Sequence, residues 1–156
     1  MLAPGQTIPD VTLLDGEGKP VRLRGLLGEK ALVVYFYPKD DTPGCTAQAC
    51  GFRDAYQDFV DAGAEVVGIS QDAADSHRAF AQKHRLPFRL FTDPDGSAAR
   101  AFGVKKTLGI LPGRATFVVD REGRIVFAFS SQLRVGTHVE QALQCVRELG
   151  AGQPAR

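Results

Sequence analysis

Residues 32–37, Leu-Val-Val-Tyr-Phe-Tyr, form an unbroken apolar run rich in β-branched and aromatic side chains, and Pro38 stops it. Such a run has no polar face to offer water, so it predicts a central strand covered on both sides. Proline cannot donate to a ladder and marks the end. Helical periodicity follows from about 43 to 62, with Ala49, Phe52, Tyr56, Phe59 and Val60 on one face and Gly63 placed to stop it. Residues 65–70, Glu-Val-Val-Gly-Ile-Ser, read as a second buried strand. Strand, helix and strand, with both strands covered, make the unit of an α/β sandwich.

The remaining elements extend that unit. Residues 10–23 hold two short alternating stretches around a Gly-rich turn and predict an N-terminal β-hairpin. A helix over about 73–84 is expected, with Asp72 as its cap. A short strand over 88–91, a turn at 93–96 and a brief helix over 98–102, ended by Gly103, come next. Residues 115–120 and 124–129 flank a turn and predict a second hairpin. A last helix over about 135–149 keeps Val139, Ala142, Leu143, Val146 and Leu149 on one face, with Gly150 and Pro154 closing it. The expected fold class is α/β, with a central mixed sheet flanked by helices and an N-terminal β-hairpin extension, in one domain over 1–156. This is the layout of a thioredoxin-like domain, although element order alone admits other small α/β folds.

Charge excludes some partners. With 19 basic and 18 acidic residues the formal net charge is +1, which gives no concentrated basic surface for nucleic acid. The densest basic stretch, Lys83-His84-Arg85, reads as a solvated helix end. The first residues lack a charged start and apolar core of a secretory signal, and the run at 31–37 is too short to span a bilayer. A cytoplasmic location is the expectation. Three cysteines are odd in number and too few for a disulfide scaffold, so they are expected to begin as free thiols.

One of them is placed for chemistry. In Pro-Lys-Asp-Asp-Thr-Pro-Gly-Cys-Thr-Ala-Gln-Ala-Cys, residues 38–50, Thr42 is positioned as N-cap, Pro43 as N1 and Gly44 beside the sulfur, which puts Cys45 in the first helical turn. Free amides and the positive end of a helix favour thiolate over thiol. Cys50 follows five residues later. In an intact helix that separation is about 8.7 Å between Cα atoms, whereas a disulfide needs less than about 7 Å. A Cys45–Cys50 bond therefore requires the first turns of the helix to unwind.

The chemistry that suits this pair is reduction of a peroxide. A thiolate attacks the O–O bond to give a sulfenic acid, and a nearby thiol converts it to a disulfide before further oxidation. Donors must stabilise charge developing on the departing oxygen. Thr42 supplies a hydroxyl, and two arginines compete for the second part: Arg114, just before the strand at 115–120, and Arg53, whose alternative reading is a surface residue pairing with Asp54 or Asp58.

Residues 36–50, with Pro38, Thr42 and Cys45 in a Pro-x-x-x-Thr-x-x-Cys core, resemble the peroxiredoxins, specifically the bacterioferritin comigratory protein or PrxQ-type group. Segments 67–70, 86–88, 93–96 and 113–120 extend the likeness, and Gln48 fits the subgroup. The resemblance implies that Cys45 is the peroxidatic and Cys50 the resolving cysteine. It further implies that Pro38 shields the sulfur and that Thr42 and Arg114 bind and activate the peroxide. A thioredoxin-like core, hydrogen peroxide and organic hydroperoxides as substrates, thioredoxin or sometimes glutaredoxin as reductant, no cofactor and a monomer are implied with it.

Two other readings compete. A general thiol–disulfide oxidoreductase or redox chaperone fits the layout, but the sequence has no Cys-x-x-Cys. A small metal-binding or interaction module would use the cysteines and a histidine, yet His77, His84 and His138 lack a zinc-like spacing. His77 and His84 are expected on helix surfaces, His138 at the start of the last helix, and Cys145 as a packing residue beside its dry face.

Overall fold

The computed structural model describes residues 1–106 and 112–152. Its centre is β3 (Ala31–Phe36), buried along its whole length as the apolar run requires. β3 pairs in parallel with β4 (Ala64–Ser70), and β4 in parallel with β5 (Arg89–Thr92). On its other side β3 meets β6 (Ala115–Val119) antiparallel, with Phe36 opposite Ala115. β7 (Ile125–Ser130) completes that edge. The N-terminal hairpin, β1 (Thr12–Leu14) with β2 (Pro20–Arg22), joins the same sheet through β5. The resulting order among the described residues is β2-β1-β5-β4-β3-β6-β7, a mixed sheet as expected.

Alternation along β3 divides the interior in two, because successive side chains point to opposite faces. Val33, Tyr35 and Tyr37 enter one core with Phe52, Phe59, Phe80, Ala142 and Val146. These come from α1 (Pro43–Asp54), α2 (Tyr56–Asp61), α3 (Ala74–Lys83) and α5 (Val135–Gly152). Leu32, Val34 and Phe36 enter the other, with Ile8, Leu13, Phe91, Phe117 and the Ala98 and Phe102 of the α4 region (Ser97–Ala101). Phe117 is fully buried, its ring 4.9 Å from Phe102 and 6.1 Å edge-on from Phe36.

Two glycines mark close approaches. A Cβ on Gly68 would lie 2.8 Å from Leu90 Cδ2 and 2.9 Å from the Tyr35 hydroxyl, so β4 gives way to the tyrosine ring here. A Cβ on Gly51 would lie 3.1 Å from Val139 Cγ2, which marks where α1 and α5 come together.

Several boundaries differ from expectation. The single helix over 43–62 is two helices, because Ala55 leaves helical geometry (φ −94°, ψ 1°) between them. The kink lets α1 pack on α5 while α2 turns Phe59 into the core. Asp72 does not cap α3. Ala73 holds that position without a side-chain bond, and the Asp72 carboxylate instead accepts the Asp40 amide at 2.8 Å and the Ser70 hydroxyl at 2.6 Å. The last helix runs through Gly150 to Gly152, and Pro154 lies outside the described residues. Gly63 and Gly103 end their helices as expected, both with positive φ.

Candidate active site

Thr42, Pro43 and Gly44 deliver Cys45 into the first turn of α1, as the local sequence dictates. Thr42 occupies the N-cap in extended geometry, and its carbonyl accepts the first helical bond from Thr46 at 2.8 Å. Its hydroxyl makes no bond to a helix amide. It donates instead to Lys39 O at 2.9 Å, which closes the preceding loop on itself.

Cys45 is 1% exposed. Arg114, itself 4% exposed, donates from Nη2 to Cys45 Sγ at 3.4 Å and from Nη1 to Gln48 Oε1 at 2.5 Å. Gly44 leaves room for the approach, since a Cβ there would lie 3.1 Å from Arg114 Nη2. Arg114 precedes β6, whose pairing beside β3 brings it to the sulfur, and the Ser130 hydroxyl donates to its carbonyl at 3.0 Å. Arg114 Nε and Gln48 Nε2 are buried donors without a partner among the described residues. Arg53 is elsewhere: it bonds Asp54 at 3.0 Å and His84 O at 2.9 Å, and the Asp54 carboxylate raises its pKa. Asp58 faces Arg147 instead, at 3.9 Å.

Cys50 is half-buried on the same helix, and Cys45, Cys50 and Cys145 are all free thiols. Pro38 is half-buried two residues after the end of β3. Cys145 packs against the helical core, where burial pushes its thiol pKa up. Beside α1, Tyr35 stacks on Phe52 at 4.6 Å, and burial followed by the charge of Cys45 pushes its hydroxyl pKa well up.

His77 departs from the helix-surface position expected of it. His77 is 2% exposed, and its Nδ1 lies 2.8 Å from Asp40 Oδ2. Asp40 also accepts from the Tyr37 hydroxyl at 2.5 Å and the Ser76 hydroxyl at 2.9 Å. The sequence carries a signal for this: His77 falls three residues before Phe80 and four before Ala81, on the stripe α3 turns inward. His138 does stand at the start of α5, fully buried. Its Nε2–H donates to Ser131 O at 2.8 Å, since a carbonyl can only accept, so its Nδ1 accepts the Thr116 hydroxyl at 2.7 Å. Burial, with Arg114 nearby, lowers the His138 pKa to about 4.

Among the described residues the one grouping of metal-ligand type is Asp40, Asp72 and His77, with ligand atoms within 4.8 Å of one another. Neither Cys45 nor Cys50 belongs to it. Tyr37, Ser76, Ser70 and the Asp40 amide already donate to its carboxylates. No helix among the described residues is long and apolar enough to cross a membrane.

A thioredoxin-like sheet carrying a buried cysteine at a helix start, with a guanidinium on its sulfur, defines the thiol-based class of redox proteins. The sequence profile of the AhpC/TSA family matches residues 4–128. The chain belongs to that family, in its peroxiredoxin Q branch. It is 48% identical to the chloroplastic peroxiredoxin Q of Sedum lineare over 146 residues, 93% of this chain and 78% of that protein. Its fold is similar to peroxidoxin BcpB of Mycobacterium tuberculosis, with a TM-score of 0.87 and 38% identity, covering 96% of this chain and 99% of that one. It is also similar to a Xanthomonas campestris bacterioferritin comigratory protein described for alkyl peroxide reduction, with a TM-score of 0.83 and 32% identity over 95% and 99% of the two chains.

Proposed function

We propose that this chain is a thiol peroxidase that reduces hydrogen peroxide and organic hydroperoxides through Cys45, acting as a single domain. The observation that carries this reading is the Arg114 guanidinium at 3.4 Å from a sulfur that is almost wholly buried. A buried sulfur suits a small oxidant and does not suit exchange with protein disulfides, which separates this activity from a general oxidoreductase.

The Cys45 thiolate attacks the distal oxygen of ROOH. An S–O bond forms, the O–O bond breaks, and the departing oxygen leaves as water or alcohol after taking a proton. Arg114 stabilises the charge gathering on the oxygens, and its Nε and the Gln48 Nε2 are spare donors for the bound peroxide. Thr42 holds the pocket's entry loop through Lys39 O, and Pro38 borders it. The first turns of α1 then unwind, and the Cys50 thiol attacks the Cys45 sulfenic sulfur. An S–S bond forms, the S–O bond breaks and water leaves. A dithiol reductant of the thioredoxin type, with glutaredoxin as a second donor, returns two electrons and two protons. The protein works as a monomer in the reducing cytoplasm.

Substitution of each cysteine tests the scheme by mass spectrometry after one equivalent of peroxide. Cys45→Ser is expected to lose peroxide turnover altogether. Cys50→Ser is expected to form the Cys45 sulfenic acid once and then fail to turn over with thioredoxin. A wild-type chain with Cys45 still reduced and no Cys45–Cys50 bond overturns the reading. Coupled assays with several hydroperoxides and with separate redoxins identify the substrate and donor.

A further inference from the structure

The loop between β3 and α1 is anchored without any help from α1. Lys39 and Asp41 are exposed, yet Asp40 between them is 7% exposed. Both of its carboxylate oxygens are engaged: Oδ1 by the Tyr37 hydroxyl at 2.5 Å, and Oδ2 by the Ser76 hydroxyl at 2.9 Å and His77 Nδ1 at 2.8 Å. Its amide donates to Asp72 at 2.8 Å. These partners come from the end of β3, from α3 and from the segment before α3. Asp41, with φ +61°, is joined to the far end of α3 by Lys83 at 2.9 Å, but that pair is solvent-exposed and weak.

Resting on the peroxidase reading, we infer that Asp40 and His77 are positioning residues that clamp the loop leading into α1. The clamp fixes Thr42 and therefore the turn carrying Cys45 while the folded pocket reacts. By holding the residue before Asp41 it also opposes the unwinding of α1, a movement whose hinge begins at Asp41, where the backbone is left-handed at the clamp's edge. Neither residue touches the sulfur or the peroxide. They act through Thr42, and a shift of the order of 1 Å in a reacting group is enough to slow a reaction severely.

The two chemical steps respond in opposite senses. Oxidation of Cys45 needs the loop held, whereas attack by Cys50 needs α1 released. Quenched-flow mass spectrometry on the full chain, with hydrogen peroxide, reads both rates. His77→Leu removes the donor to Asp40 and is expected to slow Cys45 oxidation roughly tenfold while speeding disulfide formation. His77→Asn keeps a donor near the Nδ1 position and is expected to return both rates to within about twofold of wild type. Phe117→Ala, on the far core, controls for lost stability and is expected to leave the ratio of the two rates unchanged. If His77→Leu does not fold, Ser76→Ala removes another donor to Asp40 and carries the same signs at smaller amplitude. Unchanged rates in a folded His77→Leu protein beside a normally reacting wild type overturn the positioning role alone, as does a shift that Phe117→Ala reproduces. A wild-type chain whose Cys45 does not oxidise overturns the peroxidase reading as well.

Discussion

The two faces of the sheet are built from the same strands to different rules. On the face covered by the N-terminal segment and α4, the interior is Phe36, Phe91, Phe102 and Phe117 with aliphatic neighbours. Its buried acid, Asp93, is used to accept the Ala98 and Ala99 amides at 2.8 and 3.0 Å and so caps α4. On the face covered by α1, α3 and α5, the same depth holds Arg114, Gln48, Asp40, His77, Thr116 and His138. Each buried polar group there must find a partner or lose its hydration for nothing. The first face contributes stability through packing. The second gives up part of that contribution to hold donors and acceptors in fixed positions around one sulfur.

Substitutions on each face should separate these roles. Phe117→Ala is expected to lower stability by about 3–5 kcal/mol through the cavity it leaves, while the rate of Cys45 oxidation per folded molecule stays at the wild-type value. Denaturant titration and quenched-flow oxidation read the two quantities. Arg114→Met should do the reverse. Loss of a charge-stabilising donor is expected to slow Cys45 oxidation by roughly 10²–10³-fold, with the unfolding midpoint little changed, because an apolar side chain of similar length replaces a buried cation. A Phe117→Ala protein with a damaged rate, or an Arg114→Met protein with lost stability and a normal rate, would dissolve the distinction.

The third expectation concerns pH. His138 is neutral in the folded protein down to about 4, against 6.5 when unfolded. The unfolded chain therefore binds the proton first. The contribution of His138 to stability is complete above about pH 6.5 and is lost as pH falls towards 4, a change of roughly 3 kcal/mol. Denaturant midpoints measured from pH 7 to pH 4 should fall accordingly, and His138→Gln should flatten the slope over that window.

Local chemistry was legible in the sequence wherever neighbours in the chain decide it. The covered strand at β3 and the Thr-Pro-Gly entry to Cys45 depend on adjacent residues, and they stand where the pattern puts them. Arg114 was ambiguous against Arg53 because its position follows from the register of β6 on β3, a pairing between segments about eighty residues apart. The break at Ala55 carries no glycine or proline to announce it; it arises from two helices seeking different partners. His77 departs from the expected helix surface because it falls on the inward stripe of α3, and its partner Asp40 lies in another segment.

The contact at Gly51 ties the middle of α1 to α5. A Cβ at that position would lie 3.1 Å from Val139 Cγ2, so α5 packs tightly on α1 immediately after Cys50. In the proposed cycle, fraying from the Cys45 end would meet this contact one residue beyond the second thiol. The travelling portion of the chain in that cycle would then end at Cys50, short of the residue that α5 holds.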